Sequence, residues 1–219
     1  LATDLVTTQT RHQVVTILYL MLLVGMVIGA LGFSLLLEPF SFFRLIQVIQ
    51  GSALVVACLN IVAMWQMEPR RPDLTSFELA RPSLGQSWKV LSANPGAHRL
   101  LIAVTLGTLG FSMQEILLEP YGAEVLAMSV SQTTRLTAIF GGGMLIAMAL
   151  SASYLGRAGE PIRLAAYGAV IGVFAFAAVI MAGAFDSLPL FAFGTLLIGI
   201  GNGLFAVGTL TAAMLLAGT

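Results

Sequence analysis

The sequence predicts an all-α, polytopic membrane protein with six membrane-spanning helices. Hydrophobic residues make up 58% of the 219 residues and charged residues only 9%, which is more apolar surface than a soluble domain of this size can bury. The mean hydropathy of +0.96 points to the same class. Six apolar runs along the chain each exceed the roughly 20 residues that a helix needs to cross a hydrocarbon core about 30 Å thick.

The six predicted spans fall into two groups, which a long polar segment separates. Residues 1–67 contain two spans, at about 14–37 and 43–67, and form the end of an N-terminal helical half. Residues 68–96 form a polar, proline-containing connection. Residues 97–219 form the start of a C-terminal half, with spans at about 97–118, 133–155, 164–185 and 190–216. Because the first residue is not methionine and the last apolar run reaches the final residues, we expect further helices on both sides.

The distribution of basic residues predicts the orientation of the spans. If the first span starts in the cytoplasm, eight lysine and arginine residues lie on the cytoplasmic side and only Arg44 and Arg135 lie on the other. An excess of basic residues near the cytoplasmic ends of spans is the usual bias of membrane proteins. We therefore expect both ends of this chain and the connection 68–96 in the cytoplasm. The end of the third span then faces the periplasm.

The end of the third span carries the main candidate site. The segment Gly110–Gly122 places Gln114, Glu115 and Glu119 in the last turns of an apolar helix. Ionisable residues inside a span are rare because burying charge is expensive, so each is a candidate functional group. Glu115 lies about one turn deeper than Glu119, which precedes Pro120 and is expected at the level of the lipid headgroups. An interfacial carboxylate in water is the alternative for both residues.

Other polar residues are weaker candidates. Asn202 lies deep in the sixth span, and its amide needs a partner, which is either another helix or a ligand. His12 and His98 lie at predicted cytoplasmic helix entrances, where an imidazole is either a ligand or an interfacial side chain in water. No cluster has the spacing of a structural metal site, and no nucleophile–base pair or phosphate-binding loop is visible. We therefore predict neither a structural metal nor an enzyme, and the net charge of zero indicates no nucleic-acid partner.

Glycines recur within several spans and predict close helix packing. Small residues let helix backbones approach in lipid, where no hydrophobic drive brings the helices together. In the fourth and sixth spans, a cavity wall that admits a flat ligand is the alternative. The glycines that we predict at helix contacts are Gly25, Gly29, Gly141, Gly142, Gly143, Gly201 and Gly203.

Several segments resemble one known family, the bacteriochlorophyll delivery family of PucC/LhaA-type light-harvesting assembly proteins. The most specific is Ser112–Gly122, Ser-Met-Gln-Glu-Ile-Leu-Leu-Glu-Pro-Tyr-Gly, in which the family often has aspartate at the position of Glu115. The other segments that carry the resemblance are Leu1–Leu5, Tyr19–Met26, Arg44–Gly51 and Gly201–Gly208. The order of spans and loops also resembles part of a major-facilitator-type bundle, with these six spans as helices five to ten of twelve.

The resemblance implies a non-catalytic assembly factor for the light-harvesting antenna complexes of purple bacteria. It implies a multi-pass protein of the bacterial inner, intracytoplasmic photosynthetic membrane, with antenna polypeptides and the reaction-centre complex as partners. It implies bacteriochlorophyll as the ligand, whose Mg²⁺ accepts nitrogen and oxygen ligands. The candidate pigment-binding residues are then Gln114, Glu115, Glu119, Asn202 and His12.

Two alternatives stay open. The first is a proton-coupled secondary transporter of a small molecule, in which Glu115 carries the proton and the substrate lies between the two halves near the midplane. The second is a structural scaffold, in which the glycine faces only pack helices and no pigment is held.

Overall fold

The structure, a computed structural model, describes residues 11–65, 85 and 95–217, with side chains described throughout except at 11–16, 115 and 217. Within these ranges all regular structure is helical, and six helices are long and apolar enough to cross a membrane. This confirms the predicted fold class. The connection 68–96 lies almost wholly outside the described residues. In chain order the helices are α1 Arg11–Leu36, α2 Phe42–Met64, α3 Pro95–Val125, α4 Val130–Gly156, α5 Pro161–Ala184 and α6 Leu188–Ala217.

The last three helices form the packed centre of the molecule. The α5–α6 pair makes the most extensive contact, and the α4–α6 pair follows it. The position of α6 between the other two follows from its glycines: Gly199 and Gly203 face α4, whereas Gly201 and Gly208 face α5. Residues two apart point in nearly opposite directions around a helix, so alternate glycines serve opposite neighbours.

The first three helices pack more loosely. Leu23, Ala30, Ser34 and Leu37 are buried where the C-terminal part of α1 and the turn after it meet α4, and their spacing places them on one helical face. The α1 side chains from residue 17 to 22 are all exposed. The α3 helix lies mainly against α6, and no described residue of α2 is buried.

The α3 helix continues past the predicted end of the third span at residue 118. It runs to Val125 with Pro120 inside it, although a proline leaves the carbonyl four residues earlier without its helical donor. Packing beyond the proline offsets this loss. Tyr121 stacks on Phe191 with a centroid distance of 5.9 Å, and Leu126 is buried. The predicted loop that begins at residue 119 is therefore helical in its first half.

A capping box starts α4. The Gln132 backbone N–H donates to the Ser129 hydroxyl at 3.3 Å, and the Ser129 N–H donates to the Gln132 side-chain oxygen at 2.9 Å. Two donors that the first turn cannot satisfy are thereby paired.

Because an N-cap hydroxyl contributes about 1 kcal/mol, we expect Ser129→Ala to lower the free energy of unfolding of the full-length protein by about that amount. Denaturant titration in mild detergent measures it. Ser153→Ala is the matched control, since the Ser153 hydroxyl donates only to the Ala149 carbonyl within the same helix. Equal losses in the two variants would contradict a capping role for Ser129.

Candidate functional site

A cavity of about 250 Å³ lies between α1, α3 and α4. Its walls are mostly apolar, with one amide, one carboxylate and one hydroxyl among them, and such a mixture is typical of small-molecule sites. The residues that line the cavity are Met26 from α1, Gln114, Leu118 and Glu119 from α3, and Leu136, Thr137 and Phe140 from α4.

Gln114 is the polar residue that is most deeply placed in this cavity. It lies on the buried face of α3 because Phe111, Gln114 and Leu118 follow the i, i+3, i+7 spacing of one helical stripe, and all three are buried. Only 5% of Gln114 is exposed, yet its amide makes no hydrogen bond within the described part of the chain. The amide atoms are not fully enclosed, because among the described residues Ser151 Oγ is the fully buried side-chain polar atom that has no partner. The Gln114 amide is thus available to a ligand in the cavity.

Glu119 and Thr137 supply the other polar groups. The Thr137 hydroxyl donates to Glu119 Oε1 at 2.8 Å, which joins α3 to α4. Glu119 is exposed, so it lies at the edge of the cavity rather than inside it. Among the described residues it has no cationic partner. The arrangement offers one hydrogen-bonded carboxylate to a donor group or a cation that reaches the edge of the cavity.

The remaining predicted ligands lie elsewhere or outside the described residues. Asn202 is half-buried on the face of α6 that carries Ile198 and Phe205, and it does not line the cavity. Glu115 is part of α3 and His12 is part of α1, but neither side chain belongs to the described residues. The structure therefore brings together Gln114 and Glu119 of the predicted set.

The predicted packing glycines divide into two groups. At Gly143, Gly201 and Gly203 an added Cβ would press on a neighbouring helix, and at Gly141 it would meet the α1 side chains of Met26 and Val27. At the other three predicted positions, an added Cβ would meet nothing within 4 Å in the described part of the chain. These three are Gly25, Gly29 and Gly142.

Sequence reasoning missed a polar cluster that joins α1 to α4. Ser34 and Ser131 exchange hydrogen bonds with each other's backbone carbonyls, and Arg135 Nε donates to the Ser34 hydroxyl at 2.8 Å. Glu38 lies 4.0 Å from the Arg135 guanidinium. All four residues are close to predicted span ends, where polar residues are ordinary. Nothing in the sequence distinguishes these four residues, because their contacts form only when α1 packs against α4.

A family model and the curated relatives that match this chain point to the same family. The family model described as PUCC protein matches residues 1–219. Protein PucC of Rhodovulum sulfidophilum is 44% identical over 217 residues, which cover 98% of this chain and 48% of the relative. Protein PucC of Cereibacter sphaeroides is also 44% identical over 217 residues, covering 99% and 47%.

A more distant relative is named Bacteriochlorophyll synthase 44.5 kDa chain, from Rhodobacter capsulatus. It is 29% identical over 215 residues, which cover 95% of this chain and 49% of that protein. The chain spans about half the length of the curated relatives that it matches. No solved structure matches it.

Proposed function

This chain belongs to the PUCC protein family, and we propose from that premise that it acts in the assembly of photosynthetic complexes in a bacterial membrane. In this proposal it holds bacteriochlorophyll and passes it to antenna polypeptides in the inner, intracytoplasmic membrane, close to the reaction centre. Both ends of this chain lie in the cytoplasm. The assignment of α1–α6 to helices five to ten of a major-facilitator-type bundle stays a prediction.

The observation that carries the proposal is the side-chain amide of Gln114, which lines a mostly apolar cavity and makes no hydrogen bond within the described part of the chain. A chlorin is flat and apolar, and its Mg²⁺ accepts an oxygen ligand. The Gln114 side-chain oxygen supplies such a ligand, and its NH₂ group can donate to a carbonyl at the edge of the ring. The apolar side chains of Met26, Leu118 and Phe140 suit the face of the macrocycle.

The size of the cavity limits how the pigment binds. At about 250 Å³, the cavity lies below the range of about 300–1,000 Å³ that is usual for drug-sized ligands. We therefore propose that one edge of the macrocycle enters the cavity, while the rest lies along the groove between α1 and α3. Within the described ranges, these two helices flank α4 without an extensive contact with each other, which leaves the groove open.

The proposed role is binding rather than catalysis. The cavity offers an amide, a hydroxyl and a carboxylate at its edge, and these groups can hold and orient a pigment. One distant relative carries the word synthase in its name. Product analysis of the purified protein with pigment precursors tests the distinction, and we expect the pigment to be recovered unchanged.

The test of the function is the absorption spectrum and extracted pigment of the full-length protein, purified in mild detergent from a photosynthetic host that makes no antenna polypeptides. We expect about one bacteriochlorophyll per protein. A pigment-free protein that still captures antenna helices would replace pigment delivery with a docking scaffold. A protein that captures neither would leave the proton-coupled transporter as the better account.

A further inference from the structure

Among the side chains that the structure describes, polar groups join α1 to α4 at one end only. The Ser34 hydroxyl donates to the Ser131 carbonyl at 3.0 Å, and the Ser131 hydroxyl donates to the Ser34 carbonyl at 2.9 Å. Each hydroxyl has a single proton, so both protons are used between the two helices. The Ser34 oxygen then accepts from Arg135 Nε at 2.8 Å, a charge-assisted bond. Glu38 faces the same guanidinium at 4.0 Å.

These polar groups lie at the same end of the bundle as Glu119, which marks the exposed edge of the cavity. Ser34 is eight residues after Met26, which corresponds to about 12 Å along α1. The hydrogen bond from Thr137 to Glu119 joins α3 to α4 on this side as well. All three helices are therefore tied together at the end where α1 and α3 finish and α4 begins.

The opposite side of the cavity has no comparable closure in the described part of the chain. The α1 side chains from residue 17 to 22 are exposed. The large apolar side chains in the corresponding part of α3 are exposed too, at Leu101, Ile102, Leu106 and Leu109. The helices around the cavity are thus joined at one end and unpacked toward the other.

We propose that Ser34, Glu38, Ser131 and Arg135 form a clasp that closes the cavity toward the C-terminal end of α1. While the clasp is closed, a ligand does not enter past the C-terminal end of α1, and it reaches the cavity along the open groove between α1 and α3 or from the opposite side. The inference rests on the proposed function in that it takes the cavity as the ligand site, but it does not depend on which ligand binds there. It assigns a gating role to residues that do not touch the cavity.

The test measures how fast a cysteine in the cavity reacts from the side of the clasp. The reporter is Met26→Cys in the full-length protein with Cys58 and every other native cysteine replaced, in sealed vesicles of known orientation. A membrane-impermeant maleimide is added on the clasp side. We expect Arg135→Gln to speed labelling of the reporter about tenfold or more. Ser131→Ala, which removes the hydroxyl and adds no atom, should act in the same direction.

A reporter outside the cavity controls for general loosening. Glu124→Cys lies at the exposed end of α3 on the same side, and its labelling rate should not change with Arg135→Gln. Equal labelling of Met26→Cys with and without the clasp substitutions would overturn the proposal. Because labelling needs neither pigment nor antenna polypeptides, a failure of the proposed function leaves this result unaffected.

A disulfide between positions 34 and 131 tests whether joining α1 to α4 again slows the labelling of the reporter. The hydroxyl oxygens of Ser34 and Ser131 are 3.1 Å apart, so cysteine sulfurs at these positions need to approach by only about 1 Å to reach the S–S bond length of about 2 Å. In the Arg135→Gln background, oxidised Ser34→Cys/Ser131→Cys should return the labelling rate of Met26→Cys to that of the closed clasp. Labelling that stays fast after cross-linking would show that Arg135 acts on the fold and not through this contact. If Arg135→Gln fails to fold, the labelling rate of the Ser131→Ala variant decides the proposal.

Discussion

Gly143→Ala is expected to destabilise the full-length protein, whereas the same substitution one residue earlier is expected to stabilise it. An added Cβ at Gly143 presses on the Leu196 carbonyl oxygen and lies 3.1 Å from both Gly199 Cα and Ile200 N. All three atoms belong to the backbone of α6, so no side chain can turn away to make room. The two helices must separate, and overpacking of this kind costs about 1–3 kcal/mol.

Gly142→Ala is the matched control for this substitution. The two glycines are adjacent, both are helical, and both gain about 1 kcal/mol of helix propensity on becoming alanine. An added Cβ at Gly142 meets nothing within 4 Å in the described part of the chain. The difference between the two variants in the free energy of unfolding therefore isolates the steric clash. We expect a difference of about 3 kcal/mol in unfolding titrations, at the upper end of the usual cost of overpacking. A difference near zero would show that α4 and α6 do not cross at Gly143.

Gln114→Leu is expected to change pigment binding and stability in opposite directions. Leucine removes the groups that can bind Mg²⁺ or a ring carbonyl, and a lost bond of about 1.5–3 kcal/mol lowers affinity roughly 10- to 100-fold. It also replaces an amide that faces the cavity without a hydrogen bond in the described part of the chain by an apolar side chain of similar size. The ligand-free protein should then be more stable by about 1 kcal/mol, the lower end of the cost of an unsatisfied polar group, because the amide atoms are not fully enclosed.

The measurements for this prediction are pigment per purified protein and the unfolding free energy of the pigment-free protein. Ser112→Ala is the control, since Ser112 is exposed on the same helix and does not line the cavity; it should alter neither quantity. If pigment binding survives Gln114→Leu, Gln114 is not a pigment ligand. If stability falls instead, the amide has a structural partner in the full-length protein.

The class of the fold could be predicted from the sequence because it depends on composition and length. An apolar run of more than about 20 residues has few alternatives to a membrane helix. The end of α3 could not be predicted in the same way. A proline after a carboxylate is a strong local signal for a helix end, but the contact of Tyr121 with Phe191 comes from a helix far away in the chain.

The candidate site could be predicted only in part for the same reason. Gln114 stands out in the sequence because an amide within an apolar helix needs a partner. The pairing of Ser34 with Ser131 depends on contact across 97 positions, and neither serine is unusual in its own segment. Likewise Gly142 and Gly143 are indistinguishable in the sequence, since only the direction of α6 decides which of them lies at the crossing.

The uneven packing of the six helices has a consequence for biogenesis. Half of the residues in the apolar stretch of α6 are buried, whereas none of those in α2 are. Chains are synthesised from the N-terminus, so α1 and α2 enter the bilayer before α4, the main partner of α1 in the described chain, has been made. Lipid must solvate them during this interval, and their apolar surfaces and closed backbone hydrogen bonds permit it. The helices that enter the bilayer first are therefore those with the least packing. The most tightly packed pair, α5 and α6, enters last.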